Sequence, residues 1–342
     1  MTKPPTIKDI ARQLNISVST VSRAIRNASD VNPDTKKAVL ALVEELNYQP
    51  NQLALSLRNK QTHTIGVIVP NLDYVLSMMV KGIDEVALEA GYTVMICQSN
   101  ESFGREILNT RRLLESLVDG FIVSVSSETK TFEHFKKIQE KNIPMVVFDR
   151  VTPELKAPSV RIDNEGGGFQ ATEHLIEQGY KRIAILAGPK NLSISNDRLN
   201  GYRNALAKHK IAIDKDLIMH CDFNQDYAFF ATEEFLAMKK RPDAIFAISD
   251  RMAIGAMLAI KKKGLEMPHD IGLVGFNDEP ILSLISPAIS SVEQPSFELG
   301  KATAKLFIET MHNNIEDTSP VEKVLKTKLF VRESSQRILP KK

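Results

Sequence analysis

Apolar positions in the first fifty residues recur at helical spacing. Ile10, Ala11 and Leu14 mark one face of a short helix opened by Thr6-Ile-Lys-Asp9, a capping-box variant whose acid favours the positive helix end. Asn15 then interrupts with a residue that tolerates the left-handed backbone of a tight turn. Ser17 caps a second helix carrying Val18, Val21, Ala24 and Ile25, and Asn32-Pro33 opens a third with Val39, Leu42, Val43 and Leu46 inward. From Ile65 the pattern changes. Continuous apolar runs at 65–69, 93–97, 120–125, 145–148, 182–186, 244–248 and 272–276 alternate with amphipathic helical stretches, the mark of parallel sheets covered on both faces. These runs are too many for one compact sheet, and the pattern restarts after Val160-Arg-Ile-Asp163, so the chain predicts two doubly wound α/β lobes behind a small helical head.

A helix, a turn of about four residues and a second helix rich in Ser and Thr form a helix-turn-helix pattern. Ala11 is small where the two helices cross, and Ile10, Leu14, Ile16, Val21 and Ala24 fill a miniature core. Val18, Ser19, Thr20, Ser22 and Arg23 are left on the outer, N-terminal part of the second helix, short enough to settle into a major groove. There Arg23 reaches a guanine edge, and Ser17 or Ser22 a phosphate. A plain three-helix bundle with an Asn turn fits the same spacing. After it, Tyr48-Gln-Pro-Asn-Gln-Leu-Ala-Leu-Ser-Leu-Arg58 allows one helix of about eight residues, too short to be stable alone in water, so it needs a partner to fold.

Length and charge sharpen this picture. The 342 residues exceed one hydrophobic core, and 43% apolar with 25% charged residues excludes a collagenous or broadly disordered chain. The net charge of +2 names no partner, but residues 1–60 hold nine basic and five acidic side chains, a local balance of +4 that suits a polyanion. Two cysteines, Cys97 and Cys221, are too few for a disulfide framework or a four-ligand zinc site and favour a reducing compartment. No signal-peptide core and no run approaching 18 apolar residues is present, so a cytoplasmic protein away from the membrane is expected. No G-x-S-x-G, H-E-x-x-H or phosphate-binding P-loop occurs, and the seven histidines are scattered. Gly166-Gly-Gly168 lacks the dinucleotide-binding spacing and reads as a helix start with close packing. Neither an enzyme nor a metal or cofactor site is expected.

The words TIKDIARQLNISVSTVSRAIRN at 6–27, the bend at Val31-Asn-Pro-Asp-Thr35, LNYQPN at 46–51, and ALSLR followed by TIGVIVP at 64–70 resemble the lactose-repressor (LacI/GalR) family of bacterial transcription regulators. The resemblance covers nearly the whole chain, more loosely in its second part. It implies a helix-turn-helix head at 1–49, a hinge helix and linker at 50–61, and a two-lobed periplasmic-binding-protein-like sensor at 62–342. Lobe one is about 62–161 plus 292–322, and lobe two about 162–291 plus 323–340, with crossovers near 161, 291 and 322. It aligns Val18 and Ser19 with the base-reading pair and makes Leu57 a minor-groove wedge beside a small Ala54. The expected DNA contacts are thus Thr6, Ser17, Val18, Ser19, Thr20, Ser22, Arg23, Asn32, Thr35, Tyr48, Asn51, Ala54 and Leu57.

Ligands of open α/β sheets bind outside the carboxyl ends of the strands, which nominates Asn100, Asp149, Arg150, Asp163, Asp250 and Asn277. Capping of the following helix explains Asp163 and Asp250 equally well. The resemblance adds Arg198 and an aromatic platform at Phe223. After Pro70, where many members carry an aromatic pair, only Tyr74 is aromatic; Met78 and Met79 are either a flexible wall or core and dimer contacts. Carboxylates, amides, an Arg and one aromatic suit a sugar or sugar-like effector. The expected protein is an effector-switched repressor binding a pseudopalindromic operator in double-stranded DNA as a homodimer, since no terminal Leu heptads tether dimers into tetramers. The alternatives are a two-lobed solute-binding receptor with no DNA role and a regulator controlled by a protein corepressor.

Overall fold

The computed structural model describes residues 5–48, 61–312 and 321–337, and the chain divides into two compact units, Met1–Thr62 and His63–Lys342. Asn51, Ala54 and Leu57, expected in a hinge helix, lie outside the described residues.

The head consists of α1 (Ile7–Gln13), α2 (Val18–Ile25) and α3 (Pro33–Glu45). Each start is written into the local sequence. The Asp9 carboxylate closes a capping box, accepting the Thr6 N–H at 2.9 Å and the Thr6 hydroxyl at 2.7 Å. The Ser17 hydroxyl accepts from Thr20 N–H at 3.1 Å, and Asn32 Oδ1 from Asp34 N–H at 2.8 Å, with Pro33 in the first turn of α3 where its missing N–H costs nothing. Asn15 turns the chain between α1 and α2 at φ 52°. Ile10, Ala11, Val21, Ala24, Val31 and Val39 form the buried core, with Leu14, Ile16 and Tyr48 packed partly against it.

In the second unit the first sheet runs in the order β11-β5-β4-β3-β1-β2 and is wholly parallel. Its strands are β1 (Thr64–Val69), β2 (Thr93–Gln98), β3 (Gly120–Val123), β4 (Met145–Phe148), β5 (Ser159–Ile162) and β11 (Glu322–Leu325). The second sheet, β12-β10-β9-β8-β6-β7, joins β6 (Ile183–Ala187), β7 (Ile218–His220), β8 (Ala244–Ala247), β9 (Gly272–Asn277), β10 (Ser290–Glu293) and β12 (Lys328–Phe330). Among the described residues only β12 pairs antiparallel. The central strands are apolar and buried along their length, as strands covered on both faces must be. The covering helices are α4 (Tyr74–Glu89), α5 (Phe103–Glu115), α6 (Glu133–Glu140) and α11 (Ser296–His312) on the first lobe. On the second they are α7 (Asn164–Glu177), α8 (Ser193–Lys208), α9 (Gln225–Ala237) and α10 (Asp250–Lys262).

Among the described residues the chain passes between lobes three times: at Asp163, at Gln294-Pro295 and at Lys326-Thr327. The second and third crossings fall a few residues later than 291 and 322. Ser290–Glu293 still pairs with β9 in the second sheet, and Glu322–Leu325 still pairs with β5 in the first. Gly168 and Gly201 bring α7 and α8 together, because a Cβ at either would run into the other helix's backbone. That contact seats Arg198 of α8 against α7, which is the close packing expected of Gly166-Gly-Gly168.

Candidate functional site

Each sheet reverses its winding between its first and third strands, β2-β1-β3 and β7-β6-β8, and a crevice opens outside the carboxyl ends at such a point. The two crevices share one cavity of about 540 Å³. From the first lobe it is lined by the turns after β1 (Asn71, Asp73), β2 (Glu101), β3 (Ser127) and β4 (Asp149, Arg150). From the second it is lined by those after β6 (Asn191), β7 (Asp222, Phe223), β8 (Ser249, Arg251) and β9 (Asn277, Glu279), with Gln294 at the second crossing. The volume and polar lining suit a small hydroxylated molecule.

A buried hydrogen-bonded chain joins the lobes across this floor. Gln294 donates to Asp149 Oδ1 at 3.1 Å and accepts from Arg198 at 3.2 Å. Arg198 also donates to Asn164 Oδ1 at 2.8 Å and to the Ile248 carbonyl at 2.6 Å, and its guanidinium carbon lies 3.7 Å from the centre of the Phe276 ring. Burial lowers the Arg198 pKa to about 10 although Asp149 and Asp250 oppose it, and burial raises that of Asp149 against the pull of Arg150 and Arg198. At the rim, Asn191 donates to the Ser127 carbonyl and the Ser193 hydroxyl to the Val151 carbonyl at 2.8 Å, so second-lobe side chains grip first-lobe backbone.

Arg150 is held in a fork. Its two terminal nitrogens each donate to a Glu101 oxygen at 2.8 Å, and Nη1 also reaches the Val125 carbonyl at 3.2 Å. Phe223 from the other lobe faces the same guanidinium, 5.9 Å from its carbon to the ring centre. Burial pushes the Glu101 carboxyl up, but the Arg150 hydrogen bonds and charge, with the Ser127 N–H, bring it below the ordinary value.

Of the nine effector residues nominated from sequence, the cavity brings together Asp149, Arg150, Arg198, Phe223 and Asn277. The other four lie off it. Asp163 caps α7, accepting from Gly166 N–H at 2.8 Å. Asp250 is wholly buried, accepting from Glu279 N–H at 2.6 Å and from the Ser291 hydroxyl at 2.7 Å, while Ser249 caps α10. Burial raises the Asp250 pKa to about 7, and its bonds position the turn that carries Asn277 and Glu279. Tyr74 begins α4 with 41% of its surface exposed, outside the lining set, and Met79 is core. Asn100 and Glu101 both have positive φ, 52° and 61°, and this double left-handed turn sends Glu101, not Asn100, into the cavity. Strand-end reasoning names the loop, but one residue's difference depends on a backbone conformation that no side-chain type announces. Gln294, Asn191 and Asp222 were also missed: the first sits on a crossing, the second lies well past the end of β6, and the third follows β7, a short strand that no apolar run announces.

In the head, Thr6, Ser17, Val18, Ser19, Arg23 and Asn32 are exposed, and Thr20, Ser22, Thr35 and Tyr48 half-buried. The Ser17 hydroxyl also bonds those of Ser19 at 2.7 Å and Thr20 at 2.8 Å, and Arg23 pairs with Asp30 at 2.8 Å. Val18 leaves 41% of an apolar side chain in solvent. No cluster of ligands suited to a metal ion occurs among the described residues, and no helix there is long and apolar enough to cross a membrane.

Comparison with known proteins assigns both units. Residues 6–51 match the family described as "Bacterial regulatory proteins, lacI family", and residues 62–331 match "Periplasmic binding proteins and sugar binding domain of LacI family". The chain is 35% identical over 332 residues to the ribose operon repressor of Halalkalibacterium halodurans, covering 97% of each. It is 30% identical to catabolite control protein A of Priestia megaterium, covering 93% of this chain and 96% of that one. Among solved structures it is similar to the lac repressor dimer bound to operator and the anti-inducer ONPF (TM-score 0.87, 27% identity, 98% of this chain and 100% of that one). It also resembles the transcriptional regulator CelR in complex with cellobiose (TM-score 0.72, 32% identity, 96% and 99%). A helix-turn-helix head joined to a two-lobed sensor, matched over nearly its whole length by transcriptional repressors, makes this chain a member of the LacI family of DNA-binding transcriptional repressors.

Proposed function

We propose that the protein is a cytoplasmic repressor that binds a pseudopalindromic operator as a homodimer and is switched by a sugar-like effector held between its lobes. The observation that carries the effector reading is the cavity itself. Buried Asp149, Arg198 and Gln294 present amide, carboxylate and guanidinium groups beside the Phe223 ring, the mixture that grips vicinal hydroxyls and an apolar sugar face. Relatives described as a ribose operon repressor and as a LacI-family regulator with bound ribose support the same class. The nine nominated effector residues reduce in this reading to the five that line the cavity, joined by Glu101, Asn191, Asp222, Glu279 and Gln294. A ligand bridging the lobes stabilises one arrangement of them and so alters the fit of the heads to DNA.

In the head, Ser19, Arg23 and the exposed Val18 read bases, the Val by contact with a thymine methyl. Thr6, Asn32, Thr35, Tyr48 and Asn51 position the backbone, and Ala54 and Leu57 enter the minor groove. Homodimerisation is supported by apolar surface on both lobes. Met95 and Ile96 on the end strand β2 are 42% and 44% exposed, and Tyr227 and Phe230 on α9, which follows the end strand β7, are 60% and 61% exposed. The test is a fragment of residues 63–342 in analytical ultracentrifugation and calorimetry. It should remain a dimer, bind the sugar that the full chain binds and lose DNA binding; a monomeric fragment from a dimeric full-length chain would remove the sensor lobes from the dimer interface.

A further inference from the structure

Three guanidiniums line the cavity, and each already faces a carboxylate. Arg150 is forked by Glu101 at 2.8 Å on both nitrogens, and Arg251 Nε stands 3.9 Å from Glu279. Arg198 donates to Asn164, the Ile248 carbonyl and Gln294, with the charge of Asp149 acting on it. Asp73, Glu128 and Asp222 add acids to the wall. Even with Asp149 and Glu279 protonated, as their burial favours, the lining stays negative. Glu101 holds its place through strained backbone, at φ 61° after Asn100 at 52°, and also accepts the Ser127 N–H at 2.7 Å. Its side chain keeps 32% of its surface exposed, whereas Arg150 keeps only 6%. Arg150 Nε is buried with no protein partner among the described residues, a donor left for a neutral acceptor such as a hydroxyl or ring oxygen.

We infer that Glu101 sets the charge class of the molecule the cleft accepts: by occupying the Arg150 fork it admits uncharged hydroxylated compounds and excludes phosphorylated or carboxylated ones. A guanidinium matches a phosphate in the same two-pronged geometry that it now offers Glu101, so the carboxylate acts as a built-in competitor for an anionic ligand. Uncharged hydroxyls need no such fork. They bond to the carboxylates and amides that surround it and leave the ion pair intact. This inference rests on the cleft being the effector site, and it makes Glu101 a specificity-determining residue.

The test uses inorganic phosphate as a probe, so it does not depend on knowing the effector. Phosphate binding to the full-length chain is measured by calorimetry and thermal shift for wild type, Glu101→Gln and Glu101→Gln/Arg150→Met. Gln keeps an acceptor for the Ser127 N–H but loses the charge that holds the fork. The single variant should bind phosphate at least about tenfold tighter than wild type, and the double variant should lose that gain; phosphate bound by the head is common to all three. Glu101→Thr, read in the same assay, covers the case in which Gln impairs folding. A wild type that binds glucose 6-phosphate more tightly than glucose, or equal phosphate affinity in all the proteins, would overturn the inference. If the phosphate gain appears but no neutral sugar binds the wild type, the sugar-effector reading falls while the role of Glu101 stands.

Discussion

Replacing Arg198 with Met removes the charge and the donors while keeping an unbranched chain over Phe276. The side chain makes two short hydrogen bonds, 2.8 Å to Asn164 and 2.6 Å to the Ile248 carbonyl, and a longer one of 3.2 Å to Gln294. Charge-assisted bonds contribute roughly 1.5–3 kcal/mol each, and the long one about 1 kcal/mol, a gross loss of roughly 4–7 kcal/mol. Against this stands the penalty of burying the cation. A pKa lowered from 12.5 to about 10 corresponds to roughly 3 kcal/mol, which Met does not incur. The net expectation is a sensor destabilised by about 1–4 kcal/mol, with the effector response abolished and DNA affinity in the absence of effector unchanged. Urea denaturation reads the first quantity as a lowered midpoint at constant slope. A midpoint equal to or above wild type would mean that the network costs more than it contributes, and a normal effector response would move the ligand site elsewhere.

Asp250 predicts a pH dependence. Its native carboxyl keeps its proton up to about pH 7, whereas an unfolded Asp releases it near 4. Stability present below pH 4 is therefore lost as pH rises to about 7, by at most about 4 kcal/mol, and Asp250→Asn should flatten the urea midpoint between pH 5 and 8; an unchanged slope would place the titration elsewhere. In the head, Arg23 must leave Asp30 to reach a base. Asp30→Asn should thus strengthen operator binding about threefold at low salt, while Arg23→Met should cost about 1–3 kcal/mol and relax discrimination at one base pair, both read by fluorescence anisotropy. Leu57→Ala should weaken specific binding and leave salt-sensitive nonspecific binding nearly intact; equal losses in both would remove the wedge.

Local chemistry explains how much of the fold was legible. Thr6, Ser17 and Asn32 each announce a helix because a cap acts within three residues, and the buried parallel strands announce themselves as unbroken apolar runs. Ile218–His220, Ser290–Glu293, Glu322–Leu325 and Lys328–Phe330 carry no such run; all but Ser290–Glu293 are end strands only partly covered. They become strands through partners remote in sequence. In the cleft, Asp149, Arg150 and Asn277 follow from the strand-end rule, and Arg198 and Phe223 from the family resemblance. Asp163 and Asp250 show the limit of that rule. A carboxylate before a helix can face the ligand, the helix or the interior, and only packing chooses: Asp163 turns to Gly166, and Asp250 inward to Ser291.

The central claim is that the cleft and the head share one energy balance. It is tested most directly by measuring, in calorimetry, the affinity of the full-length protein for a neutral sugar that raises its melting temperature, with and without a saturating operator duplex selected from random sequences. The account predicts a change of about 5- to 150-fold, matched by an equal change in operator affinity when the sugar is present. An identical sugar affinity on and off the operator would contradict it.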